Sequence, residues 1–448
     1  MTTQSLFHVL KSENLTTLII SFNWINQNVR CFAAKEWDNG INWSRYNKEF
    51  SWEDFLTENP VYLDNKATLT LFEKHNLSHY LNQVIELIKK GKHMGIECFY
   101  CSKNDIRFIN NMHSNKFGIN NRKHAIRTGG IRRHDLKHDE IEVIIDGLNL
   151  SRAMSYKNYA ASVPYGGSKI TVHSNPIDLD DYYSLGFLAY AIDRTKSFTG
   201  PDMGFTPKFA DVLKKNYTSQ IGGGAEGIGP SGIPTAYGVY LTLKEVCKYK
   251  YGSASLKDKT IALQGLGAVG FPLAEYYLME GAKLIVADIQ QSSINRLFKK
   301  YRVIETNTHD IEVVKCEDIL EVNADIFSPC AIGGLIDQEA LNKLNFNIII
   351  GGANNVIKAL SKEDEINISK QLAKKGIYYQ VEWIHNIGGV LAGLEEYEHQ
   401  EKASLENVML HLENYCPTYM QDIINGSKKS GITPTEYAYN AVEKVLYN

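Results

Sequence analysis

Two lysines, Lys157 and Lys169, stand 12 residues apart, the second closing the run Val163-Pro164-Tyr165-Gly166-Gly167-Ser168-Lys169. One lysine of ordinary proton affinity clamps a carboxylate. A second, with its proton affinity lowered by burial and a neighbouring cation, is a base near neutral pH. The Gly166-Gly167 pair reads as a glycine-rich turn presenting Lys169. On spacing alone the two lysines are more readily a pair of solvated side chains, which most lysines are.

A second chemical feature is Gly265-Leu266-Gly267-Ala268-Val269-Gly270, directly after the short apolar strand Thr260 to Gln264. A helix follows, apolar at Phe271, Leu273, Ala274, Tyr277 and Leu278 and ended by Gly281; the next strand is Leu284 to Ala287, with Asp288 at its end. The first glycine permits the tight turn, the second lets the backbone approach a pyrophosphate, and the third lets helix pack on strand, while the helix N-terminus offers N–H groups and a positive dipole. Asp288, 23 residues after Gly265, is placed to accept hydrogen bonds from ribose hydroxyls. Its charge would repel a 2′-phosphate, which favours NAD over NADP. Glycines at this spacing occur in many structural turns; strand, loop, helix, second strand and terminal acid in register are the context that marks dinucleotide binding.

The elements that must position these groups are legible in outline. Leu81, Val84, Ile85 and Leu87-Ile88 are spaced for a helix with one buried face, and Ile141, Ile144-Ile145, Leu148 and Leu150 predict another within Asp139 to Met154. Gly222-Gly223-Gly224, Gly227 and Gly229 read as the hinge between two domains, after which Ser231 to Tyr249 predicts a long helix. From Asp258 to about Gly352 strand and helix signals alternate, the pattern of a parallel α/β sheet. Leu405 to Asn448 is helical in character. The aromatic-rich first hundred residues, with Trp24, Trp37, Trp43 and Trp52, carry no catalytic motif and read as a packing layer or an oligomer interface.

Further motifs follow one another in a recognisable order: Thr128-Gly129-Gly130-Ile131-Arg132, Lys157, Gly-Gly-Ser-Lys169, Pro201-Asp202-Met203-Gly204, Pro234-Thr235-Ala236-Tyr237-Gly238, Gly352-Ala353-Asn354-Asn355 and Asn386-Ile387-Gly388-Gly389-Val390. Over roughly residues 120 to 395 the chain resembles the glutamate/leucine/phenylalanine/valine dehydrogenases. The resemblance implies that Lys157, Gly129 and Asn386 bind the substrate, Lys157 through its α-carboxylate. It makes Lys169 the catalytic lysine and Asp202 the catalytic aspartate, puts Thr235 on the nicotinamide amide, and puts Asn354 near the nicotinamide ribose. It also implies a homo-oligomer. In the glutamate-specific members a lysine precedes the first Gly-Gly and a serine lies seven residues after the substrate asparagine; here those positions are Thr128 and Gly393. With Gly200 and Val390 they leave room for a large apolar side chain. Residues 1 to about 95 are unlike the short N-terminus of the leucine dehydrogenases, and Gln380-Val381-Glu382 stands where the family usually has Ala-Pro-Asp.

Composition agrees with a soluble enzyme and excludes other classes. With 48 basic against 51 acidic residues, the net charge of -3 gives no electrostatic reason to expect nucleic acid or an anionic membrane as partner. No apolar run approaches the roughly 20 residues of a membrane-spanning helix. Seven scattered cysteines are no disulfide framework, and a reducing, cytoplasmic compartment is expected. Cys98-Phe99-Tyr100-Cys101 with His113 has zinc-like spacing but lacks a second pair, so no metal is expected. His173 and His385 read as structural, and Arg127, Arg132, Arg133, Lys137 and His138 as a solvated basic face.

The expectation is an α/β protein of two domains. Residues 1–228 form a substrate-binding and oligomerisation domain, 229–395 a Rossmann-type NAD domain, and 396–448 a helical tail returning to the first domain. The expected activity is NAD-dependent oxidative deamination of an L-amino acid, branched-chain or aromatic, and its reversal. A glutamate dehydrogenase is the enzymatic alternative, and a catalytically silent NAD-binding regulatory or scaffold protein the alternative of another class. A scaffold has no chemical need for Lys157, Lys169 and Asp202 together.

Overall fold

In the computed structural model, which describes residues 5–116, 125–303, 310–359 and 361–448, the chain divides into two units. One is Met1–Gly229 with Glu396–Gln400, the other Pro230–Glu395 with Glu401–Asn448.

The first unit contains, in order, α1 (Leu6–Ser12), β1 (Thr17–Asn23), β2 (Asn28–Lys35), β3 (Val61–Leu63), α2 (Asn65–Lys74), α3 (Ser78–Lys90), β4 (Gly95–Cys101), β5 (Ile106–Ser114), β6 (Arg127–Thr128), β7 (Ile131–His134), α4 (Glu140–Ala160), β8 (Gly166–His173), α5 (Tyr182–Thr195), β9 (Ser197–Phe198) and α6 (Pro207–Asn216). Its sheet runs β3-β2-β1-β4-β5-β8-β6-β9, with β7 also against β8. Pairing is antiparallel from β3 to β8, and β6 and β7 lie parallel to β8. Alternate residues of a strand point to opposite faces. Leu18, Ile20, Ile96, Cys98 and Tyr100 therefore meet Leu81, Val84, Ile85 and Ile88 of α3 and Ile144 and Leu148 of α4. Phe99, Cys101, Phe108, Ile170 and Val172 meet Trp37, Trp43 and the apolar run Leu185 to Ile192 of α5. The aromatic N-terminal segment thus belongs to the sheet and to both of its cores.

That segment is also tied to α4 by a buried carboxylate. Glu140, in the first turn of α4, accepts the Leu6 N–H at 2.7 Å, the Tyr80 hydroxyl at 3.1 Å and the Ser5 hydroxyl, with Arg107 Nη1 3.8 Å away. Burial pushes this carboxyl up, and the donors pull it back.

Gly166 and Gly167 differ from the expected turn: they begin β8, a strand buried along its whole length. Close packing on α4 is the reason, since a Cβ on Gly167 would sit 2.3 Å from the Ser155 backbone nitrogen.

The second unit contains α7 (Gly232–Tyr251), β10 (Thr260–Gln264), α8 (Gly270–Met279), β11 (Lys283–Ala287), α9 (Gln291–Val303), β12 (Ile311–Val313), β13 (Ile326–Pro329), β14 (Ile348–Ile349), α10 (Lys362–Lys374), β15 (Tyr378–Tyr379), α11 (Gly388–His399, which ends in the first unit), α12 (Leu405–Ser430) and α13 (Pro434–Tyr447). Its strands are all parallel in the order β12-β11-β10-β13-β14-β15. This is the doubly wound order whose direction reverses beside the first strand, here between β10 and β13.

The tail corrects an expectation, because it does not return to the first domain. Residues Glu401–Asn448 belong to the second unit. Val408, Leu412, Cys416, Met420 and Ile423 form the buried stripe of α12, and at Gly238 of α7 a Cβ would meet Leu412 Cδ2 at 3.3 Å. Only Glu396–Gln400 joins the first unit, and the hydrogen bonds say why. Glu396 accepts the N–H groups of Gly223 (2.9 Å) and Ile228 (3.1 Å), and the Tyr397 hydroxyl accepts Ala125 N–H at 2.8 Å.

Leu412→Ala removes the side chain that fills the α7–α12 contact and should cost about 2–5 kcal/mol. Urea unfolding followed by tryptophan fluorescence and circular dichroism would measure it; a change under about 1 kcal/mol would place the tail's core elsewhere.

Candidate active site

In the first unit the chain brings three of the motifs onto one carboxylate. Lys169, 6% exposed on β8, donates from Nζ to Asp202 Oδ2. Arg132 on β7 donates to the same oxygen from Nε at 3.1 Å and lies 3.0 Å from it at Nη2, while Asp202 Oδ1 accepts the Met203 N–H at 2.7 Å. Arg132 Nη1 also reaches both oxygens of Asp146 on α4 at 3.1 Å, and His134 Nε2 lies 3.1 Å from Asp146 Oδ2. Burial pushes the Lys169 ammonium below its ordinary 10.5, against the pull of Asp202. Burial raises Asp202, but Lys169 and Arg132 win and hold the carboxyl down to about 2. The result is a permanent carboxylate beside an amine whose proton is loosened.

Two glycines make this convergence possible. A Cβ on Gly129 would stand 1.9 Å from the Ser168 carbonyl oxygen, and one on Gly130 2.6 Å from Lys169 Nζ. Thr128 is buried, its hydroxyl 3.1 Å from Asn158 Oδ1 and 2.9 Å from Asn158 Nδ2, and that amide also donates to the Gly166 carbonyl at 2.8 Å. Lys157, on the preceding residue of α4, is half-buried. At Gly200 a Cβ would meet only the Gly222 carbonyl, at 3.3 Å.

Of the expected solvated basic face, only Lys137 and His138 are exposed. Arg127 is 4% exposed and donates to Asn115 (2.6 Å) and the Thr195 carbonyl (2.6 Å), and Arg133 donates to the Ser174 carbonyl at 2.9 Å. With Arg132 committed to two carboxylates, the three arginines are internal fasteners. Arg132 and Asp146 are the residues that sequence reasoning missed. The signal was present: Arg132 and His134 share one face of a strand, and Asp146 lies 11 residues before Lys157, three turns along one helix face. What was missing was the packing of that helix against the sheet.

In the second unit, Gly265, Leu266, Gly267, Ala268 and Val269 join β10 to the start of α8 at Gly270. Gly265 takes φ +89°, which makes the turn, and a Cβ on Gly270 would lie 1.9 Å from the Gly265 carbonyl oxygen. A Cβ on Gly267 would meet nothing within 4 Å among the described residues, so the loop backbone stays open there for an approaching group. Asp288 accepts the Leu266 N–H at 2.6 Å, and Arg296 Nη2 donates to the Leu266 carbonyl at 3.0 Å. Cys330 and Ala331, just after β13, press on Gly265 from the point where the strand order reverses, a contact that no motif announced.

Asn386 Nδ2 donates to Asn354 Oδ1 at 2.8 Å, and Asn386 Oδ1 is buried without a hydrogen-bond partner among the described residues. That oxygen suits a donor on a bound molecule. The unusual Gln380-Val381-Glu382 run supports this pair: Glu382 accepts the Val356 N–H at 3.1 Å and the Tyr379 hydroxyl at 2.8 Å. Gln380 Nε2 lies 3.0 Å from His385 Nδ1, whose Nε2 meets the Gly351 carbonyl at 2.9 Å. Thr235 on α7 donates to the Ser231 carbonyl at 2.8 Å and would meet a Cβ on Gly389 at 3.2 Å. Val390 and Gly393 are half-buried in the first turns of α11.

Cys98 and Cys101 are free thiols, buried on opposite faces of β4, and His113 Nδ1 is taken by Ser155 Oγ at 2.8 Å. Among the described residues no group of three or more His, Cys, Asp or Glu side chains is placed to hold a metal ion. No described helix is long and apolar enough to cross a membrane. His124, farther along the chain than His113, lies outside the described residues.

Residues 227–447 match the Glutamate/Leucine/Phenylalanine/Valine dehydrogenase family. The chain is 34% identical over 324 residues to the phenylalanine dehydrogenase of Lysinibacillus sphaericus, covering 71% of this chain and 81% of that one. The chain belongs to this family. It is therefore an amino-acid dehydrogenase, an oxidoreductase acting on CH–NH2 groups and using a nicotinamide cofactor. The leucine dehydrogenase of Thermoactinomyces intermedius is 34% identical over 274 residues, 60% of this chain and 70% of that one. The structure of the L-tryptophan dehydrogenase of Nostoc punctiforme superposes with a TM-score of 0.66 at 25% identity, covering 81% of this chain and 98% of that one. The glutamate dehydrogenase of Peptoniphilus asaccharolyticus, at 20% identity and a TM-score of 0.55 over 76% of this chain and 86% of that one, shares the fold.

Gly129→Ala in this dehydrogenase forces a methyl group onto the β8 backbone and should lower stability by at least about 1 kcal/mol. A thermal scan would read this as a Tm several degrees lower; an unchanged Tm would mean that β7 and β8 separate freely at this point.

Proposed function

We propose that this dehydrogenase oxidatively deaminates a hydrophobic L-amino acid, branched-chain or aromatic, with NAD, giving the 2-oxo acid, ammonia and NADH, and catalyses the reverse reaction. The observation that carries the reading is buried Lys169 paired with half-buried Asp202, in a chain whose relatives are named for phenylalanine, leucine and tryptophan.

A bound nicotinamide would supply the hydride acceptor for the amino-acid Cα, the two-electron oxidation that turns the substrate amine into an iminium. Every other task falls to this chain. Lys157 and Asn386 fix the amino acid, Lys157 by charge at the α-carboxylate, with Gly129 giving the substrate close access to backbone. Lys169, unprotonated, takes a proton from the water that attacks the iminium carbon, and Asp202 carries protons to and from the departing amine. Thr235 and Asn354 would hold the nicotinamide end of the cofactor, and the Gly265–Gly270 loop with the N–H groups that open α8 would hold its pyrophosphate.

NAD is favoured over NADP by Asp288, whose carboxylate at the end of β11 would accept from ribose hydroxyls and repel a 2′-phosphate. Glutamate is disfavoured because the positions that carry a lysine and a serine in the glutamate-specific members are Thr128 and Gly393 here. Thr128 is turned to Asn158, Gly393 carries no hydroxyl, and Arg127, Arg132 and Arg133 are engaged by partners of their own. A buried carboxylate without a partner is penalised by several kcal/mol. At Gly200 a Cβ would meet, among the described residues, only the Gly222 carbonyl, which leaves room there for a bulky apolar side chain. The first unit serves as the substrate and oligomerisation domain and the second as the nucleotide domain of a homo-oligomer, in a reducing cytoplasm where its seven cysteines stay unpaired.

Steady-state rates with leucine, phenylalanine, tryptophan and glutamate, each with NAD and with NADP, decide substrate and cofactor together. The expected order puts all three hydrophobic amino acids above glutamate in kcat/KM, and NAD above NADP. A glutamate kcat/KM above the other three would overturn the substrate assignment, and a preference for NADP the reading of Asp288.

Lys169→Ala should lower turnover by at least about 10²–10⁴-fold, the contribution of a positioned general base, with NAD binding nearly intact by fluorescence titration. Turnover within about tenfold of wild type would remove Lys169 from the chemistry.

A further inference from the structure

We propose that Arg132, held in place by Asp146, is a positioning residue for the amine chemistry: its guanidinium fixes Asp202 and shares that carboxylate with Lys169, so that Lys169 is not locked as the charged half of a two-member ion pair. This deepens the proposed function and rests on its reading of Lys169 as the base.

The geometry carries the argument. Asp202 Oδ2 serves Lys169 Nζ and also Arg132, from Nε at 3.1 Å and Nη2 at 3.0 Å, while Oδ1 is occupied by the Met203 N–H at 2.7 Å. A lone carboxylate beside a buried ammonium stabilises the ammonium and opposes loss of its proton. A second cation on the same oxygen weakens that hold. Of the two cations only lysine can release a proton, since arginine stays charged throughout the working pH range. The fork shape of the guanidinium lets one side chain grip Asp202 with one edge and, through Nη1, both oxygens of Asp146 at 3.1 Å. Asp146 sits on α4, the helix that also carries Lys157, and is steadied by His134 Nε2 at 3.1 Å.

Among the described residues, the charged and titratable groups bonded around the pair are Asp146 from α4, Arg132 and His134 from β7, and Asp202 itself from the segment after β9. On its other side β8 pairs with β5, where Asn111, opposite Lys169, is uncharged. Arg132 pushes the Lys169 proton affinity down and Asp146 pushes it up. The acid limb of the pH profile, set by the lysine that must lose its proton, therefore has a definite sign for each variant. Removing the Arg132 charge moves the limb to higher pH. Removing the Asp146 charge moves it to lower pH.

The test is kcat/KM against pH for Arg132→Gln, Arg132→Lys and Asp146→Asn in the full chain, with L-leucine and L-phenylalanine. Arg132→Gln should raise the acid limb by about half a pH unit or more and Asp146→Asn should lower it. Arg132→Lys should return the limb toward wild type with a reduced kcat, because the charge is restored without the fork. A purely structural role would cut activity without moving the two limbs in opposite directions. Shifts of the same sign, or no shift in Asp146→Asn, overturn the proposal even where Arg132→Gln does not fold. If Lys169→Ala stays active, the reading of the base fails. If Lys169→Ala is silent while both limbs stay in place, only the role of Arg132 fails.

Discussion

A lysine ammonium can be buried only if its charge is met, and it can act as a base only if it is not met too well. That conflict shapes the first unit of this protein. Lys169 is enclosed at the start of β8, and its partner Asp202 arrives from the segment after β9. The buried Lys169 ammonium could not stay charged there alone, since an isolated buried charge costs several kcal/mol. The surrounding structure answers with a chain of alternating charge, Lys169, Asp202, Arg132, Asp146, each link made by a different element. The close backbone approach at Gly129 and Gly130 brings the strands near enough for those links to form.

The helix that supplies Asp146 and Lys157 must in turn be fixed, and this gives the N-terminal hundred residues a physical task. Glu140, in the first turn of α4, is bound by donors from Ser5, Leu6 and Tyr80. The strands β1 to β3 extend the sheet in antiparallel register, and the tryptophan-rich segment after β2 covers its second face. A segment without catalytic motifs thereby holds the register of the helix that carries two of the site's charged groups.

The second unit meets a different constraint, the need to offer backbone rather than side chain to a phosphate. A parallel sheet with a direction reversal between β10 and β13 leaves loops free at the carboxyl ends of its strands. The first loop is bare at Gly267 and braced from behind by Asp288, Arg296 and Cys330. Beside it, Asn354 and Asn386 are bonded to each other and backed by Gln380, Glu382 and His385. The departure from the usual Ala-Pro-Asp is absorbed because Glu382 reaches the Val356 N–H and Gln380 fills the space with hydrogen bonds.

The sequence by itself determined the features that depend on near neighbours. The strand Thr260–Gln264, the glycine-spaced turn and the helix that follows are local, because turn, cap and periodicity lie within a few residues of one another. The spacing of Leu81, Val84, Ile85 and Ile88 fixed α3 for the same reason. The family was legible because its motifs occur in order along the chain. Only the tertiary structure decided that Gly166-Gly167 belongs to a strand, since the close approach of Ser155 that demands glycine comes from a helix earlier in the chain. It alone showed that Arg127, Arg132 and Arg133 face inward to partners such as Asp146, Asp202 and the carbonyls of Ser174 and Thr195, as many as 70 residues away. It alone sent the C-terminal helices to the second unit, because an amphipathic stripe such as that of α12 specifies that it will be buried but not against which surface.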